Sequence, residues 1–204
     1  KATMHINHRH VPEEYSALSP DAVLYISGSL WNESYEPELE KQNYVTRKEY
    51  ETYIYGSADV VGLMCLKVFV DGNAQMYEEL KSSAMSLGSA FQKVNFLRDF
   101  KDDVELLNRS YFPNVNLKSL SAQDKQDIIN EIKEDFRKAH LGIVKLPHTS
   151  RFGVYTAYMY YKKLLHKIEE TPSVKLLDTR VRVSNPLKFG LLLKSYVNVK
   201  LNLL

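Results

Sequence analysis

The stretch AFQKVNFLRDFKDD, residues 90–103, ends the longest helical pattern in the sequence, residues 75–103. At about 100° per residue, Gln92, Asn95, Asp99 and Asp103 fall within roughly 80° of arc. Leu87, Ala90, Phe91, Val94 and Leu97 are expected on the opposite side. A helix with two such faces calls for partner helices, because its apolar side must be buried against another element. Its polar side is harder to explain. Like charges at i and i+4 cost roughly 0.2–0.5 kcal/mol on an exposed helix. Either something offsets that cost or the stripe is a solvated face.

The rest of the chain reads as further helices. Residues 30–55 suggest a helix, a turn at QNYVT and a second helix. Thr46 with Glu49 has the spacing of a capping box, opening a helix over 47–70 in which Gly56 and Gly62 allow close backbone approach. Ser121 with Asp124 opens another, through about His140. Residues 150–170 and 186–202 complete the set, and Pro113 interrupts any element within NRSYFP, 108–113. RVRVS, 180–184, is the only strand-like stretch and is too short for a sheet. The expected fold class is all-α, a bundle of about six helices over residues 30–204, with residues 1–29 unassigned. His5, His8 and His10 in that first segment lack Cys or carboxylate partners at ligand spacing and read as a polar terminal segment.

Length and composition narrow the function. The 204 residues suit one domain with a sizeable core. A net charge of +2 argues against nucleic acid as partner. The single cysteine, Cys65, excludes an internal disulfide and suits a reducing, cytoplasmic compartment. The stretch after Lys1 has no signal-peptide pattern. VVGLMCLKVFV, 60–70, is too short to span a bilayer and reads as a buried helix, although peripheral membrane contact stays open. Fourteen tyrosines fit a large pocket with polar spots.

A solvated face normally carries Lys and Glu. This one carries Gln, Asn and Asp, interleaved with Met85, Gly88 and Phe96, as the wall of a cavity would. Carboxylates one turn apart suit Mg²⁺, which takes one or two of them and completes its shell with water and phosphate oxygens. The apolar helix 57–70 would supply greasy walls. The physics therefore points to a Mg²⁺–diphosphate site opening on an apolar cavity.

Two blocks carry a family resemblance. YIYGSADVVGLM, 53–64, and LGSAFQKVNFLRDFKDDVELLNRSYFP, 87–113, resemble the squalene/phytoene synthase family, most closely its bacterial phytoene synthases. The second block is similar to the family's second aspartate-rich motif and the Arg-x-Tyr-x-Pro after it. The likeness covers 42–113 and 150–190, through YYKKLL (160–165) and RVRVS, and thins over 30–41. There SYEPELE (34–40) has Glu38 where the family carries Asp, and Pro37 inside a helix. No counterpart of the first aspartate-rich motif is found, so the chain resembles the C-terminal two-thirds of such an enzyme.

The resemblance implies an isoprenoid-synthase bundle around a central cavity and head-to-head joining of two isoprenyl diphosphates. Two geranylgeranyl diphosphates would give phytoene with loss of two diphosphates. Squalene or dehydrosqualene synthesis from farnesyl diphosphate is the alternative, and NADPH would be used only in a squalene-type reaction. The implied metal is Mg²⁺, with Mn²⁺ as substitute, held by Asp99 and Asp103. Gln92 and Asn95 would orient ligands, Arg98 would hold a carboxylate or lie on the surface, and Arg109, Tyr111, Tyr161 and Arg180 would contact diphosphate. Tyr160 competes with Tyr161 for that role. Tyr53 would donate to the departing diphosphate or relay a proton. A second class of reading is a non-catalytic relative acting as an interaction module. Oligomeric state is left open.

Overall fold

A computed structural model describes residue 44 and residues 46–101, 111–113, 115 and 120–204. The readings made for residues 1–43, and for Asp102, Asp103 and Arg109, lie outside the described residues. Within them the chain is helical and no strand is present.

The first helix, α1 (Arg47–Ile54), starts where the capping box predicts. Thr46 Oγ1 accepts from the Glu49 amide at 3.2 Å, and the Thr46 amide donates to Glu49 Oε2 at 3.0 Å. Two donors otherwise orphaned at the helix start are thus satisfied. The expected helix over 47–70 is not uniform. A wide π-helical turn, Tyr55–Asp59, separates α1 from α2 (Val60–Phe69). Asp71 and Gly72 then turn with positive φ, and Asn73 caps α3 (Ala74–Arg98) through its side-chain oxygen. After Ser121, α4 (Ala122–Ile143) is followed by α5 (His148–Glu170), the short α6 (Ser173–Asp178) and α7 (Asn185–Lys200).

The central element is α3, which packs on α2, α4 and α5. Ala90, Val94 and Leu97 are fully buried and share one core with Ile129 and Ile132 of α4 and Leu164 and Ile168 of α5. A smaller cluster joins Leu63 and Leu66 of α2 to Tyr77 and Leu80 of α3 and to Leu146. Glycine sets the closeness of the α2–α3 crossing. A Cβ on Gly62 would stand 2.7 Å from the Ala84 carbonyl oxygen, and one on Gly88 2.5 Å from that of Ala58. Both separations are below any real van der Waals contact, so these backbones meet only because the side chains are missing.

The sequence reading differs from the structure at two further points. The helix expected to run unbroken to residue 103 is interrupted after Arg98, with Phe100 and Lys101 helical again. Asp99 has φ −97° and ψ 7°, although its amide still bonds to the Asn95 carbonyl at 2.8 Å. RVRVS is extended but unpaired. Val181 and Val183 point into the core while Arg180 and Arg182 are exposed, so its alternation is that of a connector lying against helices.

Candidate active site

A cavity of about 560 Å³ lies between α2, α3, α4 and α5. That volume falls within the roughly 300–1,000 Å³ typical of small-molecule sites. Val61, Cys65, Leu66 and Phe69 form one wall, with Ser57 and Ala58 of the wide turn above them. Leu80, Ala84, Leu87 and Phe91 of α3 form the back, and Ile143, Gly153, Val154 and Ala157 close the far side. The greasy wall expected of 57–70 is therefore present. Ala90, Val94 and Leu97 are fully buried in the core. Leu87 and Phe91 pack at its edge, as expected of the apolar side, and they also line the cavity. The reason is angular, since Phe91 lies only about 40° from Asn95 at 100° per residue.

Gln92 is the last α3 residue lining the cavity. Asn95 follows one turn on and Asp99 another, about 10 Å along the helix axis from Gln92 at 1.5 Å per residue. Asn95 Oδ1 accepts a hydrogen bond from the Tyr161 hydroxyl at 3.3 Å, and the Tyr161 ring stacks on Phe91 with centroids 4.0 Å apart. Tyr160 instead meets Tyr161 edge-on and lies near Lys188. Asp99 is held between two guanidinium groups. Arg98 donates to Oδ1 from Nε at 3.0 Å and to Oδ2 from Nη2 at 2.5 Å, while Arg180 Nε reaches Oδ1 at 2.7 Å. The side-chain bonds to Asp99 hold the Arg98 guanidinium above its ordinary pKa.

Asn95, Arg98, Asp99, Tyr161 and Arg180 thus form one group. Tyr53 and Tyr111 belong to a second. Their rings lie 5.5 Å apart in a stack with Tyr44 and Phe96, and Tyr111 lies on Phe96 at 4.0 Å. Phe96, read from the sequence as part of the polar stripe, is buried in that stack.

Asp99 offers a hard oxygen donor, the type a divalent magnesium ion takes, and one carboxylate plus phosphate oxygens and water suffices for that ion. No group of three or more His, Cys, Asp or Glu side chains suited to a metal occurs among the described residues. Asp99 Oδ1 receives both Arg98 and Arg180, while Oδ2 receives Arg98 alone and keeps a lone pair for a further partner.

Sequence reasoning missed the polar network behind the stripe. Lys93 is buried and pairs with Glu131 at 2.5 Å and Asp135 at 2.6 Å, while Arg47 holds Glu131 from the outside at 2.7 and 3.0 Å. The available signal was a lysine on an apolar helix face, matched by two acids one turn apart on α4. Asp59, in the wide turn, is a buried acid that the sequence pattern did not flag. It accepts from Ser89 Oγ at 2.7 Å and has its pKa pushed up to about 6 by burial.

Comparison with known proteins gives this arrangement its context. The family model described as squalene/phytoene synthase matches residues 31–186. The 15-cis-phytoene synthase of Synechocystis sp. is 32% identical over 175 residues, covering 74% of this chain and 51% of that protein. The 15-cis-phytoene synthase of Enterobacter agglomerans is 28% identical over 172 residues, covering 76% and 56% respectively. The chain thus spans about half the length of these two relatives. A crystal structure of a squalene synthase from Alicyclobacillus acidocaldarius superposes with a TM-score of 0.60 at 16% identity, over 74% of this chain and 59% of that one. That likeness establishes the all-α fold.

Proposed function

The chain belongs to the squalene/phytoene synthase family, and from that premise we propose that the whole protein joins two isoprenyl diphosphates head to head, converting two geranylgeranyl diphosphates to phytoene with loss of two diphosphates. One observation carries the reading. The apolar cavity, Gln92 at its edge, Asn95 and Asp99 follow one another along α3, and Arg180 reaches Asp99 from the connector after α6. A ligand with a long apolar tail and an anionic head fits that order.

In this reading Arg98 and Arg180, beside Asp99, take diphosphate oxygens, for which the planar guanidinium fork is suited. Arg109 would contact the same head group, whereas Tyr111 lies buried in the aromatic stack and would act there only through its neighbour Tyr53. Asn95, fixed by Tyr161, and Gln92 orient the head at the mouth of the cavity. Mg²⁺, or Mn²⁺ in its place, held by Asp99 with Asp103 and phosphate oxygens, would supply neutralisation of the charge on the departing diphosphate. The apolar walls keep water from the allylic cation. Tyr53, half-buried in its aromatic stack, is positioned by hydrophobic neighbours and would donate a hydrogen bond from its hydroxyl to the second leaving group. Proton loss then gives phytoene; a squalene-type outcome would require NADPH.

The test uses the full-length protein with geranylgeranyl diphosphate and Mg²⁺, following diphosphate release and identifying the hydrocarbon by mass. A C40 product that disappears with Asp99→Ala is expected. A normal rate in that variant would sink the assignment, and a C30 product from farnesyl diphosphate alone would move it to the squalene branch.

A further inference from the structure

A second cavity, of about 450 Å³, lies on another face of the α4–α5 pair. Ala139 and Ala157 line the first cavity, while the next residues along each helix, His140 and Tyr158, line this one. Its floor is apolar. Phe136, Tyr158 and Leu165 are buried, and the Phe136 and Tyr158 rings meet edge-on at 5.5 Å. Its rim is basic. At 100° per residue Lys133, Arg137 and His140 fall within about 60° of arc on α4, and Lys162 and His166 stand one turn apart on α5. Glu169 is the one acid among the described lining residues, and it bonds Lys133 at 2.6 Å. Glu134, which holds Arg137 at 2.7 Å, is not part of the lining. Lys162 has no carboxylate partner among the described residues. Its ammonium stands 5.2 Å from the Tyr158 ring centre, and the His140 ring stands 5.4 Å from the same ring. Burial, and after it the Lys162 charge, holds the His140 imidazole below its ordinary pKa. Two basic side chains therefore converge on one aromatic ring with no acid to balance them.

We propose that this second cavity is a separate ligand site, taking the phosphate ester of a compact apolar group. A phosphate head between His140 and Lys162 would be attracted by the ammonium group and accept a ring N–H from the imidazole. Arg137 has further donors for the same head beyond those it gives Glu134, and its planar fork suits phosphate oxygens. The floor decides the rest of the ligand. Inorganic phosphate would leave Tyr158, Leu165 and the exposed Leu141 uncovered, whereas a ring or short branched chain on the ester buries against them. The volume keeps that group compact and places the cavity in the size range of small-molecule sites. The inference uses only α4 and α5 residues outside the first cavity and does not rest on the catalytic reading.

Phenyl phosphate titrated into the whole chain, with the imidazole ring protons followed by NMR, tests it in the absence of any substrate. The His140 and His166 resonances, identified by their loss in His140→Gln and His166→Gln, should shift saturably, and that of His148, outside the cavity, should not. Inorganic phosphate should bind on the order of tenfold more weakly, because it lacks the apolar contact. Lys162→Gln should weaken phenyl phosphate binding about fivefold, the size of one partly exposed ion pair, and Lys162→Glu should abolish the shifts. Circular dichroism should be unchanged in both variants, since Lys162 is exposed. Arg180→Ala should leave the shifts as they are, which separates this site from the Asp99 end of the first cavity. No saturable shift at His140, equal binding of inorganic phosphate, or binding indifferent to Lys162 overturns the proposal. So do shifts that Arg180→Ala removes, which would assign the anion to the Asp99 end.

Discussion

Replacing Lys93 with Met removes the one cation placed between Glu131 and Asp135 on the back of α3. The Lys93 side chain is 7% exposed, that of Asp135 15% and that of Glu131 29%. Without Lys93, Glu131 keeps both bonds from Arg47, but Asp135 loses its 2.6 Å partner. Breaking a buried pair by truncating one member costs about 3–5 kcal/mol. Here one acid keeps a cation and both are partly wet, so a loss of about 2–3 kcal/mol at pH 7 is expected. The sign of the pH dependence follows from Asp135. Burial already pushes its carboxyl up, and the nearby Lys93 charge restrains it. Removing that charge raises it further above the unfolded value of about 3.9. The folded variant then binds a proton more readily than the unfolded chain, and its stability rises as pH falls toward that value. Urea denaturation at pH 7 and pH 5 should show the deficit shrinking at the lower pH. Adding Asp135→Leu should restore much of the loss by removing the stranded charge. A deficit under about 0.5 kcal/mol, or one that ignores pH, would refute the buried-network reading.

Asp59 tests the same physics with one group. Its folded pKa of about 6 lies above the unfolded value, so the native protein loses stability as pH rises from about 4 through 6. Asp59→Asn keeps an acceptor for Ser89, should flatten that profile, and should stabilise by on the order of 2 kcal/mol at pH 7 in thermal melts. Gly88→Ala forces a Cβ to within 2.5 Å of the Ala58 oxygen and should cost about 1–3 kcal/mol, read as a lower Tm. Gly153 is the contrast. A Cβ there meets nothing within 4 Å and points along the cavity wall, so Gly153→Leu should gain about 1 kcal/mol of helix stability while weakening geranylgeranyl relative to farnesyl diphosphate in competition binding. Arg180→Ala should weaken diphosphate binding and lower turnover in the full-length protein, measured by calorimetry and product assay; unchanged affinity would remove Arg180 from the head-group site.

The all-α class was readable because its signals are local. Thr46 with Glu49 and Ser121 with Asp124 are four-residue patterns, and the structure forms both caps. The stripe was also readable as a face, because Gln92, Asn95 and Asp99 repeat at helical spacing. What the pattern missed depends on tertiary partners. Asp99 breaks the helix while bonded to Arg180, eighty-one residues on, and Leu87 and Phe91 also line a cavity completed by α4 and α5. The wide turn at Tyr55–Asp59 was hidden because each of its residues is compatible with an ordinary helix. The short α6 went unread because six residues carry too little periodicity.

Helix α5 serves two neighbours at once. Gly153, Val154 and Ala157 line the cavity, while Phe152 meets the Tyr196 ring edge-on and Tyr155 accepts from Asn198 of α7. One helix therefore stands between the cavity and α7, touching both. Linkage makes any coupling through that helix symmetrical. If a shift of α7 tightens ligand binding in the cavity by some factor, a filled cavity must favour that shift by the same factor.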